Sequence, residues 1–242
     1  MLITSLTNAK VKQWHKYQQK KYRNQDQRFL IEGLHLIEEA HKANLIEAII
    51  VDENFSNPYQ QYPIYTVTSN IMDKLSMHQS TEKIMAVCKM KKQDDRSLSS
   101  KIIILDNLQD PGNIGTIIRS AYSFGYETII LSNDSTDLYN DKLIRSTQGA
   151  IFHLNILQVP LLPMMQNLKE LGYKIYATSL KQAQPLSTIV PSYPLALVFG
   201  NEGNGVSQAV LANSDQNIII EMNNFESLNV AVAAGICMYQ FK

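Results

Sequence analysis

The feature that most limits the fold of this chain is a set of short, unbroken apolar runs separated by stretches of helical periodicity. Ile102-Ile103-Ile104-Leu105 is one such run and Leu195-Ala196-Leu197-Val198-Phe199 is another. A strand needs this composition when both of its faces are buried, whereas a strand with one wet face would alternate. Around these runs the pattern predicts helices over about 113–124, 140–147, 163–171 and 227–241, and further strands over 127–131, 152–159, 173–178 and 217–221. Strands that alternate with helices imply a mostly parallel sheet covered by helices on both faces. Such sheets bind ligands beyond the carboxyl ends of their strands. The loops after Leu105, Thr178, Phe199 and Ile220 are therefore where chemistry is expected.

The first 90 residues have a different texture. A helix is predicted over 8–22, then a strand and Gly turn at Phe29-Leu30-Ile31-Glu32-Gly33, then an amphipathic helix over 34–43. Strands follow at 46–52, 63–67 and 84–90, with a helix between the last two. This reads as a small α/β sandwich. Residues 91–100 are polar and separate the two textures. The expected organisation is a first domain over 1–92, a linker over 93–100 and a second domain over 101–242.

Composition excludes more than it identifies. Acidic and basic residues number 22 each, so net charge favours no class of partner. Their distribution is uneven: Lys10, Lys12, Lys16, Lys20, Lys21, Arg23 and Arg28 face only Asp26 within 10–28. That run suits a phosphate backbone, and a solvated helix face would read the same way. Cys88 and Cys237 are far apart among apolar neighbours, which favours inert buried thiols over a metal or redox site. Neither a signal core at the N-terminus nor an apolar run of roughly 18 residues is present, so a cytoplasmic protein with no membrane partner is expected.

Three loops carry residues suited to chemistry. The first is Leu105-Asp106-Asn107-Leu108-Gln109-Asp110-Pro111-Gly112-Asn113-Ile114-Gly115, leading to Arg119. Pro111-Gly112 forces a tight turn, and Asn113 is placed to cap free N–H groups at a helix start. Arg119 follows roughly 9 Å further along the helix axis, where it is either a bidentate phosphate clamp or a surface cation. The second loop, Gly200-Asn201-Glu202-Gly203-Asn204-Gly205, follows the Leu195–Phe199 run. Its glycines mean either a strained turn or a ligand pressed on the main chain. Glu202 would repel phosphate, and neither a P-loop nor a dinucleotide fingerprint is present, so ATPase and NAD-dependent readings have no motif behind them. A carboxylate among glycines suits a cationic, hydroxyl-bearing ligand. The third loop, Glu226-Ser227-Leu228-Asn229-Val230, enters the last helix. Ser227 is the expected N-cap, and Asn229 falls in the first turn, where free N–H groups favour a polar ligand.

In this order and spacing the loops resemble the three signature motifs of the SpoU (TrmH) family of RNA 2′-O-methyltransferases, within the SPOUT class. Asn113-x-Gly115-x-x-x-Arg119 matches the first motif, Gly200-x-Glu202-x-x-Gly205 the second and Ser227-Leu228-Asn229-Val230 the third. Lys142 to Ala150 is similar to the family's segment between the first two. Ile3 to Leu6, Lys20 to Arg23 and Phe29 to Gly33 resemble, less specifically, the accessory RNA-binding domain that many members carry. One departure precedes the third motif: Ile220 and Asn223 stand where the family usually has Pro and Gly.

The resemblance implies a C-terminal sheet with a deep trefoil knot, a homodimer with active sites at its interface, and methyl transfer from S-adenosylmethionine to a ribose 2′-hydroxyl of structured RNA, ribosomal RNA being favoured. It implies a cofactor held near Thr178, Gly200, Ile219, Leu228 and Asn229. Asn113, Glu202, Ser227 and Asn229 shape the site, while Arg119 acts on the hydroxyl together with an RNA phosphate. Lys20, Lys21, Arg23 and Arg145 are the expected RNA contacts, and no metal is required. The alternatives are a transfer-RNA 2′-O-methyltransferase, or an RNA-binding module that kept the fold and lost turnover.

Overall fold

A computed structural model describes residues 2–78, 81–224 and 227–242. In chain order the elements begin β1 (Leu2–Ile3), α1 (Ala9–Lys16), α2 (Lys20–Asp26), β2 (Arg28–Glu32), α3 (Leu34–Lys42), β3 (Ile46–Asp52), β4 (Ile64–Val67), α4 (Ser69–Leu75) and β5 (Ile84–Lys89). Then come β6 (Lys101–Asp106), α5 (Pro111–Ser123), β7 (Thr128–Leu131), α6 (Asp141–Ser146), β8 (Asn155–Gln158), α7 (Leu161–Glu170) and β9 (Lys174–Thr178). The chain finishes with β10 (Gln184–Pro185), β11 (Leu195–Gly200), α8 (Gln208–Ala212), β12 (Gln216–Ile219) and α9 (Val230–Gln240). Two compact units result: residues 1–92 with 137–152, and residues 93–136 with 153–242. The stretch 137–152, which a cut at the polar linker leaves in the second domain, groups with the first unit.

The first unit is built on a five-stranded sheet in the order β1-β4-β3-β5-β2. β1, β4 and β3 run parallel, and β5 lies antiparallel to both β3 and β2. Val11 and Trp14 of α1, with Tyr17, pack on the sheet beside Ile71 and Met72 of α4. The helix expected over 8–22 is two helices. α1 stops at Tyr17, whose freed carbonyl accepts a hydrogen bond from Arg23 at 2.7 Å. A guanidinium reaching back from the next helix replaces the lost helical bond, and neither Gly nor Pro announces the break.

The second unit holds a seven-stranded sheet in the order β10-β12-β9-β11-β6-β7-β8, parallel at every pairing. Leu195 to Val198 of the central β11 are fully buried, as the unbroken apolar run requires. Ala196 and Val198 pack with Leu161, Met165 and Leu168 of α7 and Val210 of α8 on one face. α9 packs against α5 and against β11. The strand expected over 152–159 is shorter, because Ala150–Phe152 form a 3-10 turn before β8. The five-residue α8 and the two-residue β10 are too short to leave a periodic signal. β6 leads outward to β7 and β8, after which the chain crosses to β9 on the far side of β11. The sheet therefore changes direction beside β6 and β11, and a crevice opens beyond their carboxyl ends.

Candidate functional site

The register aligns the ends of four strands. Gly200 of β11 pairs with Asp106 of β6, β9 pairs with β11 up to Ala177, and Ile218 of β12 pairs with Thr178 of β9. The loops leaving these ends enclose an open cleft of about 1220 Å³. Thr178, Gly200, Ile219, Leu228 and Asn229 all line it, as do Asn113, Glu202 and Ser227. Glu226, which opens the third loop, lies outside the described residues.

Each loop is held before it meets the others. Asp110, rather than Asn113, caps α5, its Oδ1 accepting the Asn113 N–H at 2.9 Å, and Pro111 fills the first helical position, where no N–H is needed. This leaves the Asn113 side chain free to face the other loops. The second loop folds back on itself: Gly205 N–H donates to the Asn201 carbonyl at 2.9 Å. Asn201 Oδ1 accepts from the N–H groups of Gly203 and Asn204 at 3.0 and 3.1 Å. Asn201 Nδ2 donates to the Asn107 carbonyl at 2.9 Å, tying the second loop to the first. A Cβ on Gly200 would lie 2.0 Å from Val206 N and 2.1 Å from Gly205 C. The glycine there is required by the loop's own backbone, before any ligand is considered. In the third loop Asn229, not Ser227, caps α9, accepting from Ala231 and Val232 N–H at 2.9 and 3.3 Å. Asn229 thus occupies two of the helix-end donors that the sequence left for a ligand.

The three motifs then meet through one hydrogen-bonded chain. Asn229 Nδ2 donates to Asn113 Oδ1 at 3.0 Å, and Asn113 Nδ2 donates to Glu202 Oε1 at 3.2 Å. Glu202 also accepts from the N–H groups of Asp110 at 3.2 Å and Gln109 at 3.4 Å. Burial pulls the Glu202 carboxyl upward, but hydrogen bonds from its own backbone N–H, Asn113, Asp110 and Gln109 together outweigh it and hold the group below the usual glutamate range. A carboxyl depressed in this way adds stability above its unfolded pKa of about 4.3 and loses that contribution as pH falls through its folded value. Glu202→Gln is accordingly expected to reduce stability near pH 7 and to flatten the pH dependence below about pH 4.3. Chemical denaturation at pH 7 and pH 3.5 measures this, and an equal deficit at both would rule out a role for the charge.

Arg119 is placed differently. It is exposed on α5, outside the residues lining the cleft, and its guanidinium makes no ion pair among the described residues. In the first unit, Lys20 and Lys21 are exposed at the start of α2, with Lys21 above the Tyr22 ring. Arg145 pairs with Asp141 one turn back on α6, at 3.1 Å. Arg23 is a correction. Its guanidinium is buried, bonded to the Tyr17 carbonyl and paired with Asp137, so it holds the unit together and presents no charge to RNA.

Among the cleft residues that carried no motif and were not anticipated are Lys181 and Asn217. The side-chain oxygen of Asn217 is buried without a hydrogen-bond partner among the described residues. Apolar Ile219 and Leu228, exposed loop backbone and this unmet acceptor fit S-adenosylmethionine, which joins a flat base and ribose to a charged amino-acid tail. Among the described residues no group of three or more His, Cys, Asp and Glu side chains is arranged to hold a metal, and no helix is long and apolar enough to cross a membrane.

The chain is similar to known RNA methyltransferases along its length. Residues 100–239 match the model of the SpoU rRNA Methylase family, and residues 8–86 match that of an MRM3-like substrate binding domain. A 23S rRNA (guanosine(2553)-2′-O)-methyltransferase of Bacillus subtilis is 36% identical over 99% of this chain and 98% of its own length. A solved RNA 2′-O ribose methyltransferase is 28% identical with a TM-score of 0.84, covering 99% of this chain and 97% of that one. An S-adenosylmethionine-bound rRNA methyltransferase from Sinorhizobium meliloti is 25% identical with a TM-score of 0.89, covering 99% and 96%.

Proposed function

The chain belongs to the SpoU rRNA methylase family of S-adenosylmethionine-dependent RNA 2′-O-methyltransferases, and from that premise we propose that it methylates a ribose 2′-hydroxyl of ribosomal RNA in the cytoplasm. The observation that carries the reading is the hydrogen-bonded chain Asn229–Asn113–Glu202, which draws one residue of each motif to a single cleft. The B. subtilis relative, similar over its whole length, supports ribosomal RNA as the substrate.

Thr178, Gly200, Ile219, Leu228 and Asn229 would hold the cofactor, which would supply a methyl group activated by the sulfonium. Asn113 and Glu202 set the shape of the cleft wall where the first two loops meet. A ribose hydroxyl is a poor nucleophile, so it must be held in line with the methyl group and its developing negative charge must be stabilised. Arg119 serves both needs. A guanidinium stays protonated and cannot act as a base, so Arg119 orients the hydroxyl and stabilises its developing charge while the proton leaves to solvent, assisted by an RNA phosphate beside it.

Arg119 lies outside its own chain's cleft, which favours a site completed by a second copy. Supporting a homodimer, Val232, Ile236 and Tyr239 follow one another at helical spacing on α9, with Leu228 just before it, and all four are exposed. A helix that is apolar on every side is normally covered. The trefoil knot belongs to the same reading. Its support is that β11 inserts between β6 and β9, while the chain after β12 returns to lay α9 against α5 and β11.

Methyl transfer from radiolabelled cofactor to ribosomal and transfer RNA, run in parallel, tests the function. Label is expected in ribosomal RNA, within alkali-resistant dinucleotides, because a methylated 2′-oxygen cannot attack its own phosphate. Label confined to bases or to transfer RNA would overturn the reading. The exposed lysines of α2 give a second test. Lys20→Glu with Lys21→Glu is expected to weaken RNA binding regardless of sequence and to lower the salt slope by about one for each phosphate no longer neutralised. Titrations at several salt concentrations read this, and unchanged affinity would remove α2 from the RNA interface.

A further inference from the structure

Two features of the cleft have no part in the chemistry described above. Glu202 and Lys181 are the only charged residues among its described lining, and they carry opposite signs. The Glu202 carboxylate is already held by Asn113 and the first loop. The Lys181 amine has no ion pair among the described residues and is exposed. Its position on the chain is nonetheless built. Ser179 Oγ donates to the Lys181 carbonyl at 2.8 Å and accepts the Lys181 N–H at 3.2 Å, closing a tight turn directly after β9. Gln182 then adopts the left-handed region at φ 49°, which turns the chain away. The second feature is Asn217 on β12, whose buried side-chain oxygen lacks a partner among the described residues. A buried acceptor without a donor is a cost that folding does not repay. Asn217 is also part of the cleft wall.

We infer that Lys181 and Asn217 receive the amino-acid tail of the cofactor, Lys181 pairing with its carboxylate and the Asn217 oxygen accepting from its ammonium. The inference rests on the reading of the cleft as an S-adenosylmethionine site. Charge decides the direction in which the cofactor lies. A carboxylate placed beside Glu202 would be repelled, and one placed against Ile219 and Leu228 would lose its water without replacement. The adenine, neutral and flat, suits the apolar wall. Lysine is the one cation in the described lining that the carboxylate can meet, and the orphaned amide oxygen is an acceptor for the ammonium beside it.

The test compares two ligands by isothermal titration calorimetry on the full chain. S-adenosylhomocysteine carries the complete amino-acid tail, whereas 5′-methylthioadenosine ends at the thioether and has no tail. Lys181→Met is expected to weaken S-adenosylhomocysteine about fivefold, near the upper end for an exposed ion pair, and to leave methylthioadenosine unchanged. Asn217→Ala is expected to show the same selectivity without lowering the melting temperature of the cofactor-free protein, since it removes an unmet polar group. Equal weakening of both ligands would mean that these residues only support the loops, and would overturn the inference. So would undiminished S-adenosylhomocysteine binding in Lys181→Met, including the case where only RNA affinity falls. Failure of the unaltered protein to bind S-adenosylhomocysteine would instead overturn the cofactor reading itself.

Discussion

Arg119→Ala is expected to lower kcat for methyl transfer by about 10²–10³-fold, the usual cost of removing one donor that stabilises a developing oxyanion. Cofactor affinity should stay nearly unchanged, because Arg119 does not line the cleft. Stability should also hold, since the side chain is exposed and forms no ion pair among the described residues. Single-turnover kinetics with saturating cofactor, alongside cofactor titration, separate these effects. Full activity in the variant would remove Arg119 from the mechanism. Its position also makes the dimer testable through activity. If one copy lends its Arg119 to the cleft of another, mixing Arg119→Ala with a cleft-defective Asn229→Ala chain should restore part of the lost rate. No restoration, with mixed dimers demonstrably formed, would mean that each chain completes its own site.

Gly200→Ala should be the most damaging single-methyl change in the cleft. The added Cβ would stand 2.0–2.3 Å from Val206 N, Gly205 C and Gly205 O. Those are backbone atoms at the close of a hydrogen-bonded loop, so no side chain can swing aside. Either β11 or the loop must shift, at a cost of about 1–3 kcal/mol. A shifted loop also moves Glu202, and with it the links to Asn113 and the first loop. Loss of measurable cofactor binding is expected together with the fall in stability. Two neighbouring glycines provide the comparison. At Gly205, φ of +69° makes alanine strained although nothing crowds its Cβ, so an intermediate loss of about 1 kcal/mol is expected. At Gly203 an added Cβ would meet only Asn201 Oδ1, at 3.6 Å, and stability should change by less than about 0.5 kcal/mol. Denaturant unfolding of the three variants checks the order. A Gly200→Ala protein as stable as Gly203→Ala would show that the loop can relax and that the glycine serves the ligand alone.

Burial of the strands was legible in residues such as Ile102–Leu105 and Leu195–Val198, because a strand covered on both faces can carry only apolar side chains, and that demand is written locally. The order and spacing of Asn113, Gly200, Glu202 and Asn229 were legible for a similar reason: turns and helix starts impose their residue types over a few positions. Which of those polar residues would cap a helix and which would face the cleft was not. Asp110 and Asn229 took the caps assigned to Asn113 and Ser227, and a cap depends on where the helix begins to within one residue. The break between α1 and α2 was equally hidden, since the group that stabilises it is the guanidinium of Arg23, supplied by the second helix. That same burial removed Arg23 from the basic face, which charge counting alone could not foresee.

What the amino-acid sequence determined by itself was the alternation of elements, the apolar interior and the set of chemically capable loops, all consequences of interactions within a turn or two of chain. Tertiary structure alone decided that Asn113 would bond to Glu202 and Asn229, residues 89 and 116 positions away. It also decided that Asn217, on the cleft wall, would keep a buried acceptor without a partner among the described residues. The physical reason is strand order. Placing β11 between β6 and β9 brings distant loops to one edge of the sheet, and periodicity records which face of a strand is buried, never which strand lies beside it.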